Sequence, residues 1–243
     1  MPKDSPLYPK AYEVLSNSLL FGNLKSDILE MMLYKCTEVF WKKNENIDPY
    51  INEKYLFIII EGKLKITHIN PETGRSIALF LKQAGEIFDI FTLLDDEEHI
   101  VFPVPLDNMR VLQIPIKDAR EWIKEHPEFN ETFLPYLGKK MRDLEEYAAS
   151  MVFHDTITRL AKLILKHTTN HINKEYPVKL INNLSHESMA ELIGSVRSVV
   201  SSQLNKLKEE GIIETQRGKI KVKNLEMLLQ KCDIKKLTLH DKH

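Results

Sequence analysis

Between residues 37 and 151 the hydrophobic period of the chain changes once, and that change restricts the folds open to it. From 37 to about 115 the pattern is one of short strands. Tyr55 to Ile60 is a β-rich run and Glu61-Gly62 a turn; Leu64, Ile66 and Ile69 continue, Asn70-Pro71-Glu72-Thr73-Gly74 turns again, and Ile77 to Leu81 forms the next strand. Strands at this spacing predict a small antiparallel barrel or roll whose closure leaves an interior for one small ligand. A short helix over Ile116 to Glu125 ends at His126-Pro127, and a long helical pattern then runs to about Phe153. Within it Leu134, Leu137, Met141, Leu144, Ala148 and Met151 recur at alternating steps of three and four, flanked by charged residues. That is the seam of a two-stranded coiled coil, so these six residues are the expected dimer interface. Pro135 should kink or start the pairing stretch. Ahead of the strands, Leu15, Leu19, Leu20, Leu24, Ile28, Met31 and Met32 lie near helical spacing, and residues 7–35 read as short helices.

Beyond residue 155 the signals are of another kind. A helix over roughly 155–170 is followed by a loop containing Tyr176-Pro177. His167 and His171 stand at i, i+4 but have no third ligand nearby, so no metal site is expected. Ser185 is an N-cap residue for a helix through Met189, Ala190, Leu192 and Ile193. Gly194 supplies a tight turn, and Ser195 is expected to cap a second helix that runs to Glu210 before Gly211 stops it. In that second helix Val196, Val199, Val200, Leu204 and Leu207 can pack inward, leaving Arg197, Ser198, Ser201, Ser202, Asn205 and Lys208 on the opposite face. Two short helices about a glycine turn are a helix-turn-helix candidate. Long cations, hydroxyls and an amide are the chemistry that meets phosphates and base edges in a groove. Ile212 to Thr215 and Ile220 to Val222 flank Gln216-Arg217-Gly218-Lys219, a hairpin whose basic tip suits a wing on the DNA backbone.

Charge supports that division. Residues 1–155 hold 18 Lys+Arg against 26 Asp+Glu, a net −8, whereas 156–243 hold 16 against 9, a net +7. The C-terminal part is therefore the side for a polyanion. Cys36 and Cys232 are too few for a disulfide framework, a four-thiolate iron-sulfur cluster or a structural zinc site. With only eight glycines and neither a phosphate-loop pattern nor G-x-G-x-x-G, the common nucleotide-using enzymes lose their signature, and no enzyme is expected. A cupin-like enzyme would need clustered ligands in the barrel, where His68 stands alone. Neither a span of about 18 apolar residues nor a basic-then-apolar leader is found, so a cytoplasmic protein without a membrane partner is expected.

Over essentially its whole length the chain resembles the CRP/FNR family of bacterial transcription regulators. The resemblance lies in Glu61-Gly62 with its meander, in Gln83-Ala84-Gly85-Glu86, in Asp155-x-x-x-Arg159-Leu160-Ala161, and in Leu184 to Gly211 continuing to Ile213. It implies an α+β chain: an N-terminal antiparallel β-roll (cupin-like jelly roll) that senses an effector over 1–126, a long dimerisation helix over 127–154, and a C-terminal winged helix-turn-helix over 155–243. By that resemblance Asp155 lies at the hinge and caps the first DNA-domain helix, and Arg197 falls on the recognition-helix arginine. The implied partners are double-stranded DNA bearing a near-palindromic operator, a second copy of the chain, and RNA polymerase.

The departures redirect the expectations. Ser198 and Ser202 stand where the family usually has Glu and Arg as base readers. Where cyclic-AMP-binding members have Gly-Glu for the ribose and Arg-Ser for the phosphate, this chain aligns Asp89-Ile90 and His99-Ile100, and the Thr-Ser that would meet adenine becomes Leu144-Glu145. A phosphate would also face Asp95, Asp96, Glu97 and Glu98 without an arginine. Cyclic AMP is therefore not the expected effector, and the four-cysteine sensor branch fails by count. The expected effector pocket comprises Phe88, Asp89, Phe91, His99, Leu144 and Glu145, for an effector the sequence does not identify. The alternative is a heme- or metal-based gas or redox sensor on the same scaffold, with His68, His99 or His154 as axial ligand. The expected DNA-binding set is Ser185, Ser195, Arg197, Ser198, Ser201, Ser202, Asn205, Arg217 and Lys219.

Overall fold

The computed structural model describes residues 1–95, 97–169, 176–216 and 218–232. Arg217 and His171 lie outside them. The described chain divides into two compact units, 1–144 and 145–243.

The first unit opens with α1 (Tyr8–Ser16) and α2 (Ser26–Lys35), followed by β1 (Thr37–Trp41), β2 (Tyr55–Glu61), β3 (Leu64–Ile69), β4 (Ser76–Lys82) and β5 (Ile87–Phe88). A short helix α3 (Ile90–Asp95), unforeseen in the sequence, precedes β6 (Phe102–Pro105), β7 (Met109–Pro115) and α4 (Ile116–Glu125). One antiparallel sheet has the order β1-β7-β2-β5 and the other β4-β3-β6. Gly62 at φ +90° makes the β2–β3 turn, where a side chain would strike Met109.

Strand β2 shows how the unit is held together. Leu56, Ile58 and Ile60 join a core with α1, α2 and α4, while Phe57 and Ile59 join a second core with Trp41, Leu64, Ile66, Phe88 and Val111 inside the roll. Successive strand residues point to opposite faces, so a run with no polar member means burial on both sides. The two cores flank one sheet. On the helix side, Phe21, Leu56, Ile114, Trp122 and Phe129 help to line an apolar cavity of about 20 Å³, room for one water but offering it no polar partner. Of the apolar stripe in the first helices, Leu15, Leu20, Ile28 and Met32 are buried, whereas Leu19 and Met31 are exposed.

Helix α5 (Asn130–Phe153) carries Pro135 within its second turn and begins in the first unit. The second unit continues with α6 (Thr156–Lys166), β8 (Tyr176–Pro177), α7 (His186–Leu192), α8 (Arg197–Glu209), β9 (Ile213–Gln216), β10 (Lys219–Val222) and α9 (Leu225–Lys231). Tyr176-Pro177, expected as loop, instead pairs with Lys221 and Val222 and makes a third strand beside the hairpin. Leu160, Ala161, Ile164, Met189, Val200, Leu204, Leu207, Ile212, Ile220 and Leu228 are buried in this unit.

Candidate functional site

Helices α7 and α8 form a helix-turn-helix whose geometry follows from local chemistry. The Ser185 hydroxyl accepts the Ser188 amide at 3.0 Å and so supplies one of the hydrogen bonds that the first turn of α7 cannot make internally. Gly194 takes φ +60°, and a Cβ there would lie 2.9 Å from Met151 Sδ. Both the backbone sign and the space require glycine. Ser195 does not cap α8. Its amide is bonded to Ala190 O at 2.8 Å, and Val196 is the N-cap residue, without a side-chain cap. For the same reason Val196 is exposed rather than packed inward, while Val200, Leu204 and Leu207 are buried as expected.

The outer face of α8 presents Arg197, Ser198, Ser202, Asn205 and Lys208 exposed, with Ser201 half-buried between them. Strands β9 and β10 pair from Gln216↔Lys219 to Ile213↔Val222, leaving Lys219 exposed beside the hairpin tip. The hairpin is anchored to the turn that precedes α7 because Asn182 Oδ1 accepts the Ile220 amide at 2.8 Å and Asn183, at φ +64°, donates its amide to Gly218 O at 2.8 Å. Asp155 is the N-cap of α6; its carboxylate accepts the Thr158 amide at 2.9 Å, which holds its pKa below the ordinary value. His154 Nε2 lies 3.3 Å from Lys162 Nζ.

On α5 the six seam residues separate into two rows. Leu134, Met141 and Ala148, seven residues apart, are exposed, with Leu134 at 61% and Met141 at 71%. Leu137 packs against the helix-side core of the first unit, Leu144 is half-buried, and Met151 meets Gly194 and accepts a contact from Arg159 Nη1 at 3.0 Å. The sequence pattern did not separate the row used within the chain from the row left bare.

Among the expected pocket residues, Phe88 is a core residue of the roll stacked on Phe57, with ring centroids 6.2 Å apart. Asp89 is buried and pairs with His99 Nδ1. It also accepts from Asn52 Nδ2 at 3.1 Å, and Asn52 Nδ2 lies 3.2 Å from Thr92 Oγ1 and 2.9 Å from His99 O. Arg120 of α4 donates to the carbonyls of Thr92 and Leu93, fixing α3. The rings of Phe91 and His99 are 4.8 Å apart, and those of His99 and His68 5.8 Å. Burial and the neighbouring His99 lower the pKa of His68. Glu145 is exposed on α5. Sequence reasoning missed Asn52 and Lys82, both buried polar residues of this unit.

A β-roll, a long helix and, after them in the chain, a winged helix-turn-helix with a polar, cationic outer face define a DNA-binding transcription regulator. A model of the Crp-like helix-turn-helix domain matches residues 158–231. The "CRP-like cAMP-activated global transcriptional regulator" of Mycobacterium tuberculosis is 25% identical over 178 residues, 73% of this chain and 79% of that protein. The "Global nitrogen regulator" of a Synechocystis species is 24% identical over 208 residues, 84% of this chain and 90% of that one. A solved mutant of CooA from Carboxydothermus hydrogenoformans shares the fold with a TM-score of 0.69 at 22% identity, over 82% of this chain and 89% of that one. Residues 158–231 thus match a Crp-like helix-turn-helix domain, and over most of its length the chain is similar to CRP-like transcription regulators. No helix among the described residues is long and apolar enough to cross a membrane.

Proposed function

We propose that the protein is a homodimeric, sequence-specific regulator of the cytoplasm, in which the β-roll over 1–126 senses a small effector, the helix over 127–154 pairs two copies, and 155–243 reads a near-palindromic operator, with RNA polymerase as a further partner and Asp155 at the hinge. The observation that carries this reading is the outer face of α8, where an arginine, hydroxyls and an amide stand exposed within the first three turns. In a two-fold dimer, two such helices enter successive major grooves about 34 Å apart. Arg197, Ser198, Ser201, Ser202 and Asn205 then reach base edges, while Ser185 and Ser195, at the start of α7 and in the turn, and Lys219, with Arg217 of the wing, meet the backbone.

The two kinds of contact fail differently on mutation. Arg197→Ala should cost roughly 1–3 kcal/mol per half-site and relax base preference at one position. Lys219→Ala should weaken all sequences alike and reduce the salt slope by about one unit. Binding of both variants to selected and scrambled duplexes across a salt series separates them. Equal loss on both duplexes for Arg197→Ala makes that residue a phosphate anchor; no effect from either variant removes the helix-turn-helix from DNA recognition.

The effector is not expected to be cyclic AMP. His99 aligns with the position of a phosphate-binding arginine, and its ring nitrogen is engaged by Asp89. A phosphate arriving there would have to displace a carboxylate from its partner and remain beside it. Calorimetry should detect no micromolar binding of cyclic AMP, and operator affinity should not change on adding it; micromolar binding would overturn the alignment of Asp89 and His99.

A further inference from the structure

Strand β4 ends on a lysine that points the wrong way for a soluble surface. Lys82 lies opposite Leu64 and Phe80 opposite Ile66 in the β3–β4 pairing. Leu64 and Ile66 belong to the core inside the roll, so Lys82 and Phe80 share that inner face. Only 4% of Lys82 is exposed. Its ammonium stands 5.0 Å from the Phe80 ring centroid, and among the described residues no carboxylate makes an ion pair with it.

The acids near it are already engaged. Glu86 is paired with Lys140, and Asp89 with His99. Asp143 of α5 is the remaining acid whose charge it feels. Burial is the leading influence on Lys82 and, helped by the neighbouring Lys140 charge, lowers its pKa to about 8 against the upward pull of Glu86, Asp89 and Asp143. A buried ammonium with no anion of its own costs several kcal/mol, and a bound anion would recover much of that. From Lys82 an aromatic row leads along the roll: Phe80 to Phe91 at 6.4 Å, Phe91 to His99 at 4.8 Å, His99 to His68 at 5.8 Å. Phe91 is 39% exposed, an unusual state for a ring held on a short helix beside a core.

We propose that Lys82 and the Phe80–Phe91–His99 row form the recognition site for a small planar organic monocarboxylate, its carboxylate on the Lys82 ammonium and its flat apolar body along the rings. The proposal rests on the reading of the roll as the sensor and names the chemistry of what it senses. A single negative charge is what one ammonium neutralises; the second charge that inorganic phosphate carries in part at pH 7 would be left among Glu86, Asp89 and Asp143. The rings supply apolar contact and the quadrupole that suits a cation at one end of the row.

Benzoate is the probe, with benzamide as its uncharged isostere and inorganic phosphate as the compact anion. Calorimetry on the full-length protein at pH 7 should show benzoate binding at least about tenfold tighter than benzamide or phosphate, and at least about tenfold weaker to Lys82→Met than to the wild type. In protein labelled at the lysine ε-carbon, the Lys82 signal should titrate near pH 8. Saturating benzoate should raise that midpoint by about one unit, because a ligand favouring the charged amine tenfold raises its proton affinity tenfold. Lys82→Gln, which keeps a polar end, guards against a folding defect in the methionine variant. Equal benzoate affinity for wild type and both variants overturns the proposal, as does an unmoved titration midpoint. Benzoate that binds through Lys82 and leaves operator affinity unchanged supports the site and removes the roll's control of DNA binding, so the two readings fail separately.

Discussion

Placing glutamate at both Leu134 and Met141 is expected to turn the dimer into a monomer and to weaken operator binding by about 10²–10³-fold. The residues are 61% and 71% exposed in a single chain, one heptad apart on α5, with Ala148 continuing the row. Exposed large apolar side chains repeated every seven residues find their partner in a second helix. The double variant should stay folded and helical, losing only the stabilisation that pairing supplies, since neither side chain belongs to the cores of the first unit. Four carboxylates brought together across a paired seam repel one another and must be stripped of water, so association is lost. Once the two DNA-binding units are separate, the second half-site no longer profits from the high effective concentration that pairing supplies. Light scattering and a binding isotherm on the same sample test this; a full-strength dimer moves the interface to another face of the chain.

What the sequence made legible was whatever local chemistry decides. The N-caps at Ser185 and Asp155, the bounds of α4 and the end of α5 at Phe153 are set by side chains within a turn of the boundary, and the structure has them as read. The start of α8 was misplaced by one residue because the tertiary turn, through the Ala190 O bond to the Ser195 amide, takes Ser195 out of the capping position. Two-residue β8 carries no periodicity to detect; it exists only because β10 lies beside it. Lys82 is the more instructive miss. Strict alternation from Ile77 puts Leu79 and Leu81 inside and Phe80 and Lys82 in solvent. The register shifts between Ile66 and Thr67, which pair with Phe80 and Ala78, so Leu79 has no residue opposite it. One extra residue turns the rest of the strand over. A β-bulge has no signature in a run such as Ile77 to Leu81, and so the ammonium inside the roll could be found only from the paired strands.

The cost of that ammonium should be measurable as stability. For Lys82 the pKa is ordinarily 10.5 and falls to about 8 in the folded chain, a difference worth about 3 kcal/mol at roughly 1.4 kcal/mol per unit. The sign is that of a depressed base. Between these two values the unfolded chain holds a proton that the folded chain has released, so the stability of this unit rises with pH across the window; below pH 8 the penalty is present in full. Lys82→Met fills similar space without charge, and is expected to be the more stable protein by about 3 kcal/mol at pH 7, with the advantage shrinking from about pH 8 and gone above pH 10.5. The comparison between the two proteins cancels every group that titrates alike in both. Trp41 and Trp122, the protein's two tryptophans, both lie in the first unit, so denaturant unfolding followed by their fluorescence reports the unit that contains Lys82. An advantage that stays constant from pH 7 to 10.5 would mean that the amine holds its proton as firmly inside the roll as in water, and the anion-seeking character of the site would go with it.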